Sequence, residues 1–341
     1  MIRKNIDLTF VVINWNSGHL LKTCIPSLLR QKDIVSEVIL IDNNSSDNTR
    51  EIVKNLPSDV NVILNEENFG YSAAANQGIE LSNGKYVSII NPDVILTDSY
   101  GNKIIQKLEN EKNVAAATGK LIKYDFKNNR SLNVLDSTGI EVQRNLRMFD
   151  RGQNSNNLTQ FDDFTTVFGV SGAAPIYRRN ALEDVKINDE YFDVDFFAYK
   201  EDIDLSWRFN LFGWKAIFVP SAIGYHGRAI SGAGNRNKIE FIKNRKNQSS
   251  FIKTLSLKNH YSMLVKNLTI RDIKHNLLPI VIREIQHLLY SILFEFKTLK
   301  GISDFISDYK KMRTKRRLIM EKAKFRNPNV FLLNNGESLH L

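Results

Sequence analysis

Glu201-Asp202-Ile203-Asp204 places three carboxylates within four residues at the start of a segment that reads as a helix. Its apolar residues Leu205, Trp207, Phe209, Leu211 and Phe212 follow, and Gly213 suits a helix C-terminus. Carboxylates in a first helical turn face the positive end of the macrodipole, which favours their ionised form. That is the chemistry of a proton acceptor. Helix caps draw on the same residue types, so each acid taken singly reads as a cap before it reads as a base, and Asp204 is read that way. A histidine, His226, follows the next strand within Gly224-Tyr225-His226-Gly227.

Strands and helices must hold these groups in place. Residues 8–14 and 37–42 are short apolar runs rich in β-branched residues, as in strands buried on both faces of a parallel sheet. Between them, Leu20, Leu21, Cys24, Ile25, Leu28 and Leu29 have helical spacing. The alternation continues with a helix over 49–55, a strand over 60–64, a helix over 71–81 and a strand over 86–90. A helix over 100–109 and a strand over 114–118 complete it. Ligands of such sheets bind beyond the carboxyl ends of the strands, which singles out Asn14, Trp15 and Asn16, then 42–47, then Asn68-Phe69-Gly70, then 91–93. No Gly-x-Gly-x-x-Gly follows the first strand and no Walker loop is present, so a dinucleotide fold and a P-loop are not supported. Residues 120–164 read as a loop-rich insertion with short strands, and 167–177 as one strand.

The 341 residues carry a net charge of +10 and a single cysteine, Cys24, which excludes an internal disulfide. The charge is concentrated: Glu240 to Arg326 holds 20 Lys and Arg against 7 Asp and Glu, leaving the remainder slightly acidic. The expected organisation is a catalytic domain over 1–239 and a basic, mainly helical region over 240–341 that packs on it or meets an anionic membrane surface. Within that region, 276–296 is the most apolar stretch. Arg283, Glu284, His287 and Glu295 interrupt it, so the sequence reading rejects a membrane span in favour of an amphipathic helix. The amino terminus lacks a signal-peptide pattern, and the expected location is cytoplasmic, peripheral at the inner membrane face.

Residues 1 to about 230 resemble the inverting glycosyltransferases of family 2, with the GT-A fold, and in particular the branch containing bacterial rhamnosyltransferases. The resemblance is carried by residues 11–16, 40–47, 68–78, Asn91-Pro92-Asp93 and 201–205, five motifs in the family's order. It implies an α/β fold of the nucleotide-diphospho-sugar transferase type, a dTDP- or UDP-sugar donor, Mn2+ or Mg2+, and a saccharide or lipid-linked saccharide acceptor in cell-surface polysaccharide synthesis. The implied donor-binding set is Asn14, Asn16, Asp42, Asn68, Gly70, Asn76 and Asn91, with Asp42 on the base. Asp42 and Asn76 also have plain structural readings, as a turn cap and a core amide. Asp93 and His226 are the implied metal ligands; Asn91 stands where the family has the first acid of an Asp-x-Asp. Asp202 is the implied base, with Glu201 as the alternative, and L-rhamnose from dTDP-rhamnose is the implied sugar.

Three rival readings have less support. A nucleotidyltransferase would carry a glycine-rich basic loop where this chain has Asn14-Trp15-Asn16-Ser17-Gly18. A nucleic-acid-binding protein fits the basic tail, but no nucleic-acid module is discernible and the loop carboxylates would repel phosphate. Nucleic acid is therefore not an expected partner. A catalytically silent relative acting as a scaffold is opposed by the retention of Asp42, Asp93 and Asp202.

Overall fold

The computed structural model describes residues 5–228, 248–324 and 326. Strand Leu8–Asn14 (β1) is buried along its whole length and lies between Ser36–Asp42 (β2) and Tyr86–Ile90 (β4), parallel to both. Val60–Leu64 (β3) extends the sheet beyond β2, also in parallel. Alternate side chains of β1 point to opposite faces, so one sequence seeds two cores. Leu8, Phe10 and Val12 meet Leu21, Ile25 and Leu28 of helix Gly18–Leu29 (α1). Val11 and Ile13 meet Ala74, Ala75 and Ile79 of helix Tyr71–Leu81 (α3), the short helix Thr49–Val53 (α2) intervening in the chain. The alanines of α3 bring it close to the sheet: a Cβ on Gly78 would stand 2.1 Å from a methyl of Val11.

The other half of the sheet changes direction. Val94–Leu96 (β5) and helix Tyr100–Asn110 (α4) lead into Val114–Asp125 (β6). Arg130–Ser137 (β7) returns beside β6, Ile140–Val142 (β8) and Met148–Asp150 (β9) form a small separate hairpin, and Thr166–Val167 (β10) precedes Ile176–Arg178 (β11). β11 is antiparallel to both β4 and β6 and joins the two halves. After helices Arg179–Val185 (α5) and Glu201–Leu211 (α6), Lys215–His226 (β12) runs parallel to β6. The sheet order is β10-β12-β6-β11-β4-β1-β2-β3, with β5 paired to β12 and β7 to β6.

Residues 120–164 hold the short strands and loops expected of them: β6 runs on to Asp125, β7 and the β8–β9 hairpin follow, and loops make up the rest. One expectation for this half needs correction. The run 167–177 is not one strand: a loop over 168–175 interrupts it.

Three helices close the described chain, Ser250–Asn267 (α7), Ile270–Phe294 (α8) and Lys300–Ala323 (α9). The expected domain boundary at 239/240 lies outside the described residues. α7 and α9 are bound to the sheet-bearing part of the chain by buried charge: Lys266 meets Asp193 at 2.5 Å and Asp204 at 2.9 Å, and Lys315 meets Asp193 at 2.6 Å. Asp204, fully buried, also accepts from Arg208 and Asn267. It therefore braces α6 against α7. α8 is different, with only 11% of Asn276–Phe294 buried, and that stretch is long and apolar enough to cross a membrane by length and composition alone. The charges that favour an amphipathic helix over a span turn inward: Arg283 and Glu284 pair with each other, and Glu284 accepts from His260 of α7.

Candidate active site

The site forms where five loops meet at the carboxyl ends of the central strands. Its cation-binding candidates are brought together by antiparallel pairing of β5 with β12, which sets Val94 opposite His226. Asp93 Oδ1 lies 3.2 Å from His226 Nε2. His226 Nδ1 lies 2.7 Å from Asp136 Oδ2 at the end of β7. Asp136 is completely buried and is held in turn by Arg228 Nε at 2.6 Å, whose Nη2 reaches Asp150 at 2.6 Å. Burial opposes a charge on His226, but Asp136 and Asp93 outweigh it and hold the imidazole up at about 9.

This arrangement fits a divalent cation. One carboxylate oxygen and one imidazole nitrogen stand 3.2 Å apart, close enough for a single ion to meet both. A carboxylate on the far ring nitrogen is the customary support of a metal-binding histidine, because it fixes ring orientation and strengthens the ligand. Asp136, Arg228 and Asp150 are missing from the sequence-derived set, since nothing in their spacing links them to residue 93 or 226.

The carboxylate pair sits at the start of α6. Burial and the neighbouring Asp202 push the Glu201 carboxyl up to about 8, and one of its buried oxygens has no hydrogen-bond partner. Asp202 is also raised, chiefly by burial, although its Oδ2 accepts the Gly172 N–H at 2.9 Å and its Oδ1 accepts the Ile203 N–H at 2.8 Å. The expectation that the helix terminus would favour ionisation of both acids is corrected here: desolvation outweighs the dipole. The loop bearing Gly172 ties the two groups of residues together, since the Asn91 N–H donates to Ala173 O at 3.1 Å. Tyr71 at the start of α3 donates its hydroxyl to Gly172 O at 3.0 Å.

Phe197, Tyr199 and Lys200, just before α6, all adopt left-handed backbone with φ of 60°, 70° and 71°. Non-glycine residues avoid that region, and each such residue costs about 1–3 kcal/mol. Asn259 of α7 holds the segment by donating to the carbonyls of Phe196, Ala198 and Tyr199 at 2.8–2.9 Å. Gly70, with φ of 86°, abuts the same segment: a Cβ there would lie 2.5 Å from the Phe197 ring.

The donor-binding set is divided by the structure. Asn68 accepts from Asn43 and from the Gly70 N–H, so it shapes the turn into α3. Asn43 also takes the Asn65 amide and the Phe69 N–H, which makes it the hub of this turn and another residue absent from the sequence-derived set. Asn16 caps residues 46 and 47, and beside it Trp15 is 56% exposed. Asn91 is half-buried next to Asp93. Asn14 is wholly buried and donates to Asp42, Ser45 and Thr49; Asp42, itself 1% exposed, accepts from Asn14 and from both the hydroxyl and the N–H of Ser45. These two brace the loop, the alternative already weighed for Asp42. Asn76 leaves the donor set, because its amide exchanges two 2.8 Å hydrogen bonds with the backbone of Phe192. Trp207 is core, and Trp214 donates to Asp184.

A half-parallel sheet with ligand-facing loops at one end, a supported carboxylate–imidazole pair and a helix-borne acid pair define a GT-A fold. Residues 9–186, just over half of the chain, match the family model described as Glycosyl transferase family 2. The chain belongs to that family. A poly-beta-1,6-N-acetyl-D-glucosamine synthase of Staphylococcus aureus (strain COL) is 26% identical over 225 residues, covering 64% of this chain and 50% of the synthase. The corresponding synthase of Staphylococcus epidermidis (strain RP62A) is 25% identical over 218 residues, 63% of this chain and 48% of that one. The chain thus spans about half the length of the curated relatives it matches. Among solved structures, GalNAc-T7 with UDP, GalNAc and Mn2+ aligns with a TM-score of 0.54 at 13% identity, over 77% of this chain and 48% of that one, a likeness of fold.

Proposed function

We propose that the protein is an inverting glycosyltransferase that moves a sugar from a nucleoside-diphosphate donor to a saccharide or lipid-linked saccharide acceptor in cell-surface polysaccharide synthesis. The observation that carries this reading is the Asp93–His226 pair backed by Asp136, linked through the 171–174 loop to Glu201 and Asp202. Asp93 and His226 would hold Mn2+ or Mg2+, whose charge would offset that growing on the departing diphosphate. Burial raises both carboxyls, so the pair favours sharing one proton and one negative charge, and we assign the ionised, proton-accepting role to Asp202. Asp202 then takes the proton of the acceptor hydroxyl as the new bond forms. Gly172 and Ile203 N–H groups hold its carboxylate in one orientation for that step. A well-placed base contributes about 10² to 10⁴ in rate. Trp15 offers an exposed ring to the nucleoside or sugar.

The donor we favour is dTDP-rhamnose, on the motif resemblance alone; the named product of the staphylococcal relatives makes UDP-N-acetylglucosamine the competing choice. A panel of dTDP-, UDP- and GDP-sugars, each with Mn2+, Mg2+ or chelator, separates them by thermal shift and slow release of nucleoside diphosphate. Stabilisation by one donor only when metal is present supports the reading, and Asp202→Asn should then abolish turnover while donor binding persists. Turnover at the normal rate in that variant would remove Asp202 from the role. No response to any donor would return weight to the scaffold reading.

A further inference from the structure

Helix α8 is amphipathic with its polar face turned to the protein. Arg283 and Glu284 point toward buried His260 of α7, and the helix begins with a reciprocal cap between Thr269 and Asp272 that consumes the Asp272 carboxylate. Outward, from 277 to 296, every exposed residue except Gln286 is apolar, with Leu278, Leu293 and Phe294 each about 70% exposed. At 1.5 Å per residue its helical part, 277–294, is roughly 27 Å long, far more than the scattered apolar residues of an ordinary surface.

Charge decides what covers it. Arg271 and Lys274 precede the band and Lys297 and Lys300 follow it, all four exposed. None of the acids between 270 and 300 faces outward: Asp272 and Glu295 are buried and Glu284 is paired with His260 and Arg283. A band of apolar side chains bracketed by cations with no outward anion is complementary to an anionic lipid surface, where acyl chains take the apolar face and headgroups take the lysines. A second copy of the chain would bring the same cations to the same band. A crossing helix would have to carry Arg283 and Glu284 into hydrocarbon and give up His260.

We infer that α8 lies in the plane of an anionic membrane interface, its 277–296 face inserted among the lipids. α7 separates α8 from the catalytic acids by a single helix, because Asn259 clamps the segment before Glu201 while the adjacent His260 holds Glu284. A docked α8 therefore sets the active site at the bilayer surface, where a lipid-linked acceptor would be found. That last clause rests on the proposed function; the lipid binding itself does not.

The test is co-sedimentation of the full chain, without donor, with vesicles of phosphatidylcholine alone or with 30% phosphatidylglycerol taken as about a third of the lipid. The expected result is binding to the anionic vesicles, weakened at least tenfold by Ile285→Glu with Leu289→Glu and weakened severalfold by Lys274→Glu with Lys297→Glu. All four positions are exposed, and circular dichroism with donor hydrolysis in vesicle-free solution checks that the variants remain folded and competent. Absence of binding, or binding unchanged in the apolar variant, overturns the inference. So does a wild-type dimer in vesicle-free solution that the apolar variant converts to monomer without any vesicle binding, since the face would then belong to a second copy. Lipid binding with no response to any nucleotide-sugar would overturn the proposed function and leave this inference standing.

Discussion

Replacing Glu201 by Gln should make the protein more stable at alkaline pH and leave it unchanged at acid pH. The carboxyl is buried beside Asp202 and titrates at about 8 in place of the ordinary 4.5. A group whose folded-state value is raised contributes stability that is full below the unfolded value and is lost as pH rises through the folded one. The window is therefore about pH 4.5 to 8. The whole gap corresponds to a ceiling of about 5 kcal/mol, and because Asp202 shares the proton we expect about half of it, ~2–3 kcal/mol. Glutamine mimics the protonated acid and cannot ionise. Urea unfolding of wild type and Glu201→Gln at a series of pH values across this range isolates the term for the pair, because titrating groups outside it cancel in the difference. The two proteins should agree near the acid end, and the variant should gain steadily until the curve levels above pH 8. A difference that does not change with pH would refute the reasoning. A variant that is more stable yet slower would mark Glu201 as a group kept at a cost to the fold for the sake of the reaction.

Asp136→Asn should weaken Mn2+ affinity about 10–100-fold without touching the ion, because it loosens the imidazole of His226; calorimetric titration of the metal checks this. Asn259→Ala should lower kcat with little change in donor KM, since it releases the three carbonyls that hold the left-handed segment before Glu201 and leaves the donor loops alone. Equal loss in both parameters would point to general unfolding instead. Burial of Asp193 favours its neutral form, but Lys266 and Lys315 outweigh this and hold it below the ordinary carboxylate range. Its contribution is thus present above about pH 4 and is lost as pH falls further. Asp193→Asn should cost about 3–5 kcal/mol at neutral pH, leaving two buried lysines short of a partner, and should flatten the acid limb of the stability curve.

The strands of the parallel half were legible because nearly every position is buried, so β-branched runs stand out: residues 8–14, 60–64 and 86–90 fall where the sequence puts them. The motif loops were legible for the same reason, being the polar residues left between such runs. What the sequence withholds is direction. Asn14, Asn16, Asn68 and Asn76 are alike as polar residues past strand ends or in a helix, yet Asn76 faces Phe192 and Asn14 faces Asp42. Asp136 was illegible because it sits in an Asn- and Asp-rich stretch 90 residues from the histidine it supports. The charges of α8 gave the amphipathic reading but not its orientation: a count along the chain cannot tell an inward Glu284 from an outward one, and with His260 as its partner it takes no part in the exposed face.

The lock formed by Asp193, Asp204, Lys266 and Lys315 bears on how such a chain can be recombined. The family match ends at residue 186, seven residues short of the first of these acids. A chimera that exchanges only the matched segment would keep the lock whole and could be read out for donor preference. One joined between α6 and α7 would set foreign carboxylates against native lysines inside the protein. Exchangeable modules in this chain are thus defined by which buried charges travel together, and the seam lies upstream of the helix that carries Glu201 and Asp202.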